Sequence, residues 1–188
     1  MSILNFDLST ISPDSYDALR NAFKESRNEN GDVSLTLTWQ GNAPCPLLIS
    51  KNPQKLTNNL AGIYIANEGM IVRNYGNKKK NAVGHRASIP GTIIHEWCHH
   101  IQYIASSNGF GDWYWDICHP KQDELYNKWS SHLEGFYAAI EPHEMAAEAF
   151  RVLKGWRSNE PWEENEELLA DWREFFMGDE IFSLMMDC

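Results

Sequence analysis

The chain is poor in several features that would assign it to a broad class of protein. No stretch of its 188 residues approaches the roughly 18 consecutive apolar residues of a membrane span, and residues 1–7 lack the regions of a signal peptide. We therefore expect a cytoplasmic location without a membrane partner. Basic residues are few, since 16 Lys and Arg stand against 26 Asp and Glu for a net charge of −10. That balance argues against nucleic-acid binding, because phosphate contacts need a basic surface.

Cysteines and linker sequences are also scarce. The chain has four cysteines, which form neither a C-x-x-C pair nor a small disulfide framework: Cys45, Cys98, Cys118 and Cys188. We expect them to be reduced thiols. No internal repeat or low-complexity linker divides the chain. Its length predicts one domain, residues 1–188, with two lobes at about 1–108 and about 109–188.

One short motif points to metal chemistry. His95 and His99 are four residues apart in a segment, 89–107, that is typical of a helix with Pro90 in its first turn. Both imidazoles can therefore face one zinc ion, and Glu96 lies slightly round the same face, where it can deprotonate a water. Apolar residues nearly all round this helix predict that it is buried, and buried His and Glu need partners or a metal. The alternative is a hydrogen-bonded histidine pair in the core.

A third ligand is available downstream. A catalytic zinc needs three protein ligands, and Pro142 suits the first turn of a helix that carries Glu144 and Glu148 four residues apart. One carboxylate can bind the metal while the other accepts the remaining N–H of a ligating histidine. The alternative, a solvated acidic face, predicts polar neighbours. The neighbours are instead apolar: Met145, Ala146, Ala147, Ala149 and Phe150.

These motifs together resemble those of the gluzincin metallopeptidases. The string from Glu144 to Arg151 is similar to the third-ligand helix of the anthrax lethal factor group, which includes the proline-proline endopeptidases. That group also carries a tyrosine seven residues before the ligand glutamate, here Tyr137, and the 45 positions from His99 to Glu144 suit it. The resemblance covers about residues 60–155. One departure is Cys98, where the family usually has glycine.

The resemblance implies a fold and a set of roles. The implied fold is α+β and zincin-like, with a small mixed or antiparallel sheet, a buried active-site helix and a mainly helical C-terminal lobe. Glu96 would act as general base and acid, Tyr137 would donate to the oxyanion, and Glu148 would orient a ligand histidine. The implied cofactor is one Zn²⁺ ion, held by His95, His99 and Glu144.

The expected function is that of a zinc endopeptidase, a monomer acting on a peptide or protein substrate. A zinc hydrolase of a non-peptide amide would share every site residue and differ only in its pocket. A catalytically inactive binding module with the same fold is the third alternative. Retention of Glu96 argues against it, because a binding module does not need that base. His100 is either a substrate-side group or a hydrogen-bonded neighbour of the site.

Other segments predict the surrounding elements. An amphipathic pattern predicts a helix over 12–25, and strict alternation predicts a strand over 33–39. Pro44 and Pro46 should interrupt the chain before a second strand at 47–49. Residues 62–66 and 70–75 are typical of a hairpin, either strand of which could be an edge that holds an extended substrate. A last helix should begin at Glu160–Pro161.

Three further segments have open interpretations. The basic loop of residues 77–88 is either solvated or binds an acidic partner. The aromatic residues of 110–115 and Trp129 either bridge the lobes by burial, which we favour, or form substrate subsites. Residues between the two ligand helices should be part loop and part helix, from Lys121 to Ala139. The apolar tail, 181–186, should pack back or meet a partner.

Overall fold

The computed structural model describes residues 3–57, 60–74, 88–107, 114–157, 161–178 and 182–183, without the side chains of residues 163 and 164. The chain divides into two compact units, Met1–His100 and Ile101–Cys188. The division falls inside a helix, so the two units are described separately. The expectation of one domain with a lobe boundary near residue 108 stays a prediction. None of the helices in the described ranges combines the length and apolarity needed to cross a bilayer.

The N-terminal unit contains a five-stranded mixed sheet. Its strands are β1 (Leu4–Asp7), β2 (Val33–Trp39), β3 (Asn42–Ser50), β4 (Gly62–Ile65) and β5 (Gly69–Arg73). They lie in the order β1-β2-β3-β5-β4. The β1–β2 and β3–β5 pairs are parallel, whereas β2–β3 and β4–β5 are antiparallel. The predicted hairpin is therefore confirmed, and β4 is an outer strand of the described sheet.

The alternation of β2 forms one wall of the core. Its apolar positions are buried, as the period-two pattern predicted: Val33, Leu35, Leu37 and Trp39. The register places Ile49 opposite Val33 and Leu47 opposite Leu35, so the same face continues across β3. Side chains on one pleated face share a side of the sheet, which gives this unit a single apolar layer.

The prediction that Pro44 and Pro46 interrupt the chain was wrong, because β3 runs through both of them. Prolines two residues apart present their nitrogens on the same side of a strand. β5, the described neighbour of β3 on its other side, pairs only with Leu47–Ser50. On the β5 side, β3 therefore forms no ladder hydrogen bonds at the two prolines. A strand tolerates proline at such an unpaired position, because no hydrogen bond is lost there.

The N-terminal helix is shorter than predicted. Helix α1 spans Asp17–Glu25 rather than starting at Ser12, while Leu19 and Ala22 on its predicted face are buried. The hydroxyls of Ser12 and Ser15 lie 2.9 Å apart, and the Ser15 N–H bonds the Ser12 carbonyl in a separate turn. Serine side chains that bond locally compete with helix formation, which explains the later start.

Helix α2 spans Ile89–Ser107, as predicted, with Pro90 in its first turn. The prediction that it is buried is also confirmed, because Ile93, Ile94 and Trp97 are at most 1% exposed. A helix apolar on most of its faces gains stability from burial all round, so its polar residues need specific partners.

The C-terminal unit is helical in its described residues. It contains α3 (His119–Trp129), α4 (Pro142–Leu153) and α5 (Glu166–Met177). A π-helical turn, Tyr114–Cys118, leads directly into α3, and 3₁₀ turns at Ser130–Leu133 and Tyr137–Ala139 follow it. The segment from Lys121 to Ala139, predicted to be part loop and part helix, therefore consists mostly of α3 and the two 3₁₀ turns. The core of this unit is aromatic: Phe150, Trp162, Trp172, Phe176 and Phe182 are fully buried.

The last predicted helix is divided in two. Pro161–Glu164 forms a 3₁₀ turn, and α5 begins only after Asn165, whose side chain accepts a 3.1 Å hydrogen bond from the Leu168 N–H. An asparagine cap starts a new helix because it satisfies an otherwise unpaired backbone donor. Residues 77–87 of the basic loop, residues 110–113 of the aromatic stretch, and the tail other than Phe182 and Ser183 lie outside the described residues.

Candidate metal centre

Helix α2 has two chemically different faces. On one face Trp97 is fully buried, with its ring 6.2 Å from that of Trp39 on β2 and 5.1 Å from that of His100. The other face carries His95 and His99, which are four residues apart. The aromatic contacts hold the helix against the sheet within the N-terminal unit. They thereby fix the direction in which the two histidines point.

The two histidines have the geometry of a shared metal site. Their Nε2 atoms lie 3.2 Å apart, and their ring centroids are 5.0 Å apart at an interplanar angle of 76°. Two nitrogens on a tetrahedral zinc ion, each at about 2.0–2.1 Å, would be about 3.3 Å apart. The separation also permits an N–H···N bond between the rings. It fits a common metal ion within about 0.1–0.2 Å.

Glu144 completes a group of three donors. It lies in the first turn of α4, where the helix dipole favours a carboxylate. One ligand atom from each of His95, His99 and Glu144 lies within 4.8 Å of the other two, and His95 is the most buried of the three residues. Two imidazoles and one carboxylate are a donor set that suits zinc and related divalent metals. These residues can hold a metal ion.

Glu96 lies against the outer strand of the sheet. Its side chain is only 6% exposed, and a Cβ atom added to Gly62, the first residue of β4, would lie 2.7 Å from Glu96 Oε1. The same added Cβ would lie 2.6 Å from Thr92 Cγ2, one turn earlier on α2. Contacts below 3.0 Å would force Glu96 and Thr92 to move, so glycine at position 62 permits the close approach of β4 to this carboxylate.

His100 is a hydrogen-bonded neighbour of the site rather than a group open to solvent. Its Nδ1 is 3.2 Å from the Tyr64 hydroxyl on β4, and its Nε2 is 3.0 Å from the Ala43 carbonyl oxygen. The carbonyl can only accept, so Nε2 carries the proton and Nδ1 accepts from Tyr64. Burial lowers the pKa of His100, although the bond to Ala43 opposes that shift. A neutral His100 thus joins α2 to β3 and β4.

Glu148 is buried beside an arginine that the sequence reading did not single out. The Arg151 guanidinium donates to both carboxylate oxygens of Glu148, at 3.1 and 3.4 Å, and to the Arg157 carbonyl at 2.8 Å. Both side chains are largely buried, at 12% and 7% exposure, so the pair is a buried ion pair. The three-residue spacing on a helix was the signal for this partner. A role of Glu148 towards a ligand histidine stays a prediction.

Tyr137 and Cys98 are the two remaining residues that the sequence analysis singled out at this site. Tyr137 begins the 3₁₀ turn Tyr137–Ala139 and is half-buried, and Ala139 accepts a 2.8 Å hydrogen bond from the Tyr126 hydroxyl. The role of Tyr137 at an oxyanion stays a prediction. Cys98 is fully buried, and none of the described cysteines forms a disulfide with another described cysteine.

Known proteins give no further guide to this site. Comparison of the chain with protein-family models, with curated proteins and with solved structures finds no match.

Proposed function

We propose that the protein is a zinc-dependent endopeptidase of the gluzincin type, with a zincin-like fold. The observation that carries the proposal is the group of His95, His99 and Glu144, with the two Nε2 atoms 3.2 Å apart and one donor per residue within 4.8 Å. This donor set leaves a fourth tetrahedral position for a reacting molecule, as catalytic zinc sites do. The similarity of the motifs to the lethal factor group supports the same proposal.

The chain supplies the groups that the reaction requires. When bound, zinc supplies Lewis acidity that activates water and polarises a carbonyl group. Glu96, next to the ligand His95 and buried, is the base that takes the proton from the attacking water. It then returns that proton to the leaving amine. The Tyr137 hydroxyl donates a hydrogen bond to the developing oxyanion, which would otherwise be unstabilised on that side.

The position of β4 favours an extended peptide over a small amide. β4 is an outer strand of the described sheet, and the backbone of its Gly62 lies against the Glu96 side chain. An outer strand has unpaired backbone groups that can bind an extended chain by strand addition. A peptide bound in this way would present its backbone carbonyls along a strand that begins beside the general base.

The test is cleavage of a diverse peptide library by zinc-loaded protein, with new termini identified by mass spectrometry. We expect wild type to cleave, while Glu96→Ala keeps one bound zinc but loses at least about 100-fold in rate. His99→Ala should lose both zinc and cleavage. Glu25→Ala is a matched control, because Glu25 is an exposed glutamate at the end of α1.

Each alternative predicts a different result. Full-rate cleavage by Glu96→Ala would refute the mechanism. A zinc-bound wild type that cleaves no peptide but hydrolyses small amides would identify a non-peptide amide hydrolase. A zinc-bound wild type that binds peptides without hydrolysing any of them would identify a binding module.

A further inference from the structure

A stack of aromatic and imidazole rings lies at the start of α3. The exposed ring of Trp115 lies 5.1 Å from the His119 ring at an interplanar angle of 39°, and Tyr114 approaches His119 edge-on at 6.1 Å. The Asp123 carboxylate is 3.3 Å from His119 Nδ1, which orients the imidazole. Trp115 thus has a defined position despite its exposure. We call Trp115, His119 and His143 the ring cluster.

The ring cluster reaches the helix that carries Glu144. The His143 ring lies 5.4 Å from the His119 ring, and His143 is the residue just before Glu144 in the first turn of α4. Neighbouring Cα atoms are about 3.8 Å apart. The ring cluster therefore begins within about one side-chain length of a proposed metal ligand. This contact also brings the N-terminal ends of α3 and α4 together.

Large apolar side chains are exposed in the π-helical turn before α3 and in the segment before α4. Trp115 is 54% exposed, Ile117 is 48% exposed, and Ile140, three residues before His143, is 63% exposed. Single exposed apolar residues are normal, whereas neighbouring ones, here Trp115 and Ile117 in one turn, are typical of a binding surface. The Tyr126 hydroxyl bonds the Ala139 carbonyl, which holds the segment before Ile140 against α3.

The π-helical turn is held in place by its two end residues and not by Trp115. Within the π-helical turn, Tyr114 and Cys118 are buried at 1% and 3% exposure and anchor the segment. Trp115 and Ile117 lie between these anchors and face solvent. A π-helical turn is rarer than an α-helical one and is often found at functional sites.

We propose that Trp115, supported by His119 and His143, forms the wall of a substrate subsite for a large apolar side chain; this rests on the proposed endopeptidase function. The preferred occupant is an aromatic or branched apolar residue, because it can stack on the exposed indole. Asp116 and Glu141 are exposed acidic residues next to Trp115 and Ile140 in the sequence. In a protein with a net charge of −10, these carboxylates disfavour acidic substrate residues.

The test measures binding as well as cleavage. Labelled peptides that differ at a single position, with Phe, Leu, Ala or Asp, are titrated by fluorescence anisotropy into zinc-loaded Glu96→Ala protein. The position tested is the one at which zinc-loaded Glu96→Ala protein shows the strongest binding preference when each position of the peptide is varied in turn. We expect the Phe and Leu peptides to bind about tenfold more tightly than the Ala peptide, and the Asp peptide to bind most weakly. Adding Trp115→Ala should abolish the preference, whereas Trp115→Phe should retain most of it.

Met177→Ala is the matched control, because Met177 is equally exposed, at 54%, but lies at the end of α5. The subsite would be overturned if the Glu96→Ala protein showed no preference for apolar peptides. It would also be overturned if adding Trp115→Ala left that preference unchanged. Cleavage by wild type with an unchanged profile in Trp115→Ala would refute the subsite and leave the endopeptidase intact. Apolar preference that depends on Trp115 without any cleavage by wild type would support the subsite and count against the endopeptidase.

Discussion

Removal of the Tyr137 hydroxyl is the smallest substitution expected to affect catalysis without affecting metal binding. Tyr137→Phe removes one hydrogen-bond donor without changing the ring, so zinc affinity should be unchanged while the rate falls. Loss of one oxyanion donor typically costs about 100-fold or more, and zinc would still stabilise the same oxygen, so about 10- to 100-fold is expected. Steady-state cleavage of one peptide and zinc titration check this prediction.

Tyr16→Phe serves as the control for the loss of a tyrosine hydroxyl, because Tyr16 is 39% exposed and precedes α1. Its rate should equal that of wild type. A Tyr137→Phe protein with full activity would remove Tyr137 from the mechanism.

Gly62 is the residue at which strand β4 lies closest to the Glu96 side chain. The added Cβ of Gly62→Ala would lie 2.7 Å from Glu96 Oε1 and 2.6 Å from Thr92 Cγ2, so these groups must move. We expect the free energy of unfolding to fall by about 1–3 kcal/mol, as for other overpacked sites. We also expect the rate to fall, because the Glu96 carboxylate is displaced. Denaturant unfolding and peptide cleavage measure the two effects.

A second substitution separates these effects. Thr92→Ser removes the Cγ2 atom that lies closest to the added Cβ but leaves Glu96 unchanged. In the Gly62→Ala background it should recover stability without recovering the rate. Recovery of both together would mean that general packing, and not the position of Glu96, caused the loss of activity.

At the scale of elements, a polar contact joins α3 to α5. Asp171 Oδ2 accepts hydrogen bonds from Trp129 Nε1 at 2.8 Å and from Lys128 Nζ at 2.7 Å. Burial by itself raises the pKa of Asp171, but these hydrogen bonds outweigh it and hold the pKa below its usual value. Asp171→Asn should lower the free energy of unfolding at pH 7 by about 1 kcal/mol, mainly through a weaker bond from Trp129.

The pH dependence of that difference follows from the lowered pKa. A carboxyl whose pKa is lower in the folded state stabilises the fold above its unfolded pKa of about 3.9 and loses this effect as the pH falls through its folded pKa. Wild type and Asp171→Asn should therefore differ by a constant amount above about pH 5 and converge below about pH 4. Glu167→Gln, at a residue 70% exposed that also contacts Lys128, should change stability little. Curves that stay parallel down to pH 2 would contradict this account.

The sequence was most informative where the structure depends on local periodicity. Helix α2 and strand β2 have the predicted bounds because each has an unbroken apolar repeat with clear ends. His95 and His99 could be paired for the same reason, since four residues on a helix fix their common face. Helix spacing could offer only Glu144 or Glu148 as the third ligand, and the motif resemblance selected Glu144, whose donor atom lies within 4.8 Å of those of both histidines.

The sequence was least informative where a partner element decides the outcome. Pro44 and Pro46 fit within β3 because β5 pairs only with residues beyond them. The approach of Gly62 to Glu96 and the contact of His119 with His143 join residues 34 and 24 positions apart. No local pattern marks such pairs. Their chemistry becomes visible only when the strands and helices have been placed.

For the whole molecule, a metal that binds only the folded state should stabilise it. Zinc at about 100 times its dissociation constant would add about 2.7 kcal/mol, which corresponds to a rise in Tm of roughly 5–11 °C for a chain of this size. Calorimetry with zinc and with excess chelator measures the difference. Glu96→Ala should keep the shift because Glu96 is outside the group of three donors, whereas His99→Ala should lose it. His132→Ala, at an exposed histidine outside the donor group, should behave as wild type. If zinc stabilises His99→Ala as much as wild type, the metal binds elsewhere, and the group of His95, His99 and Glu144 is not the zinc site.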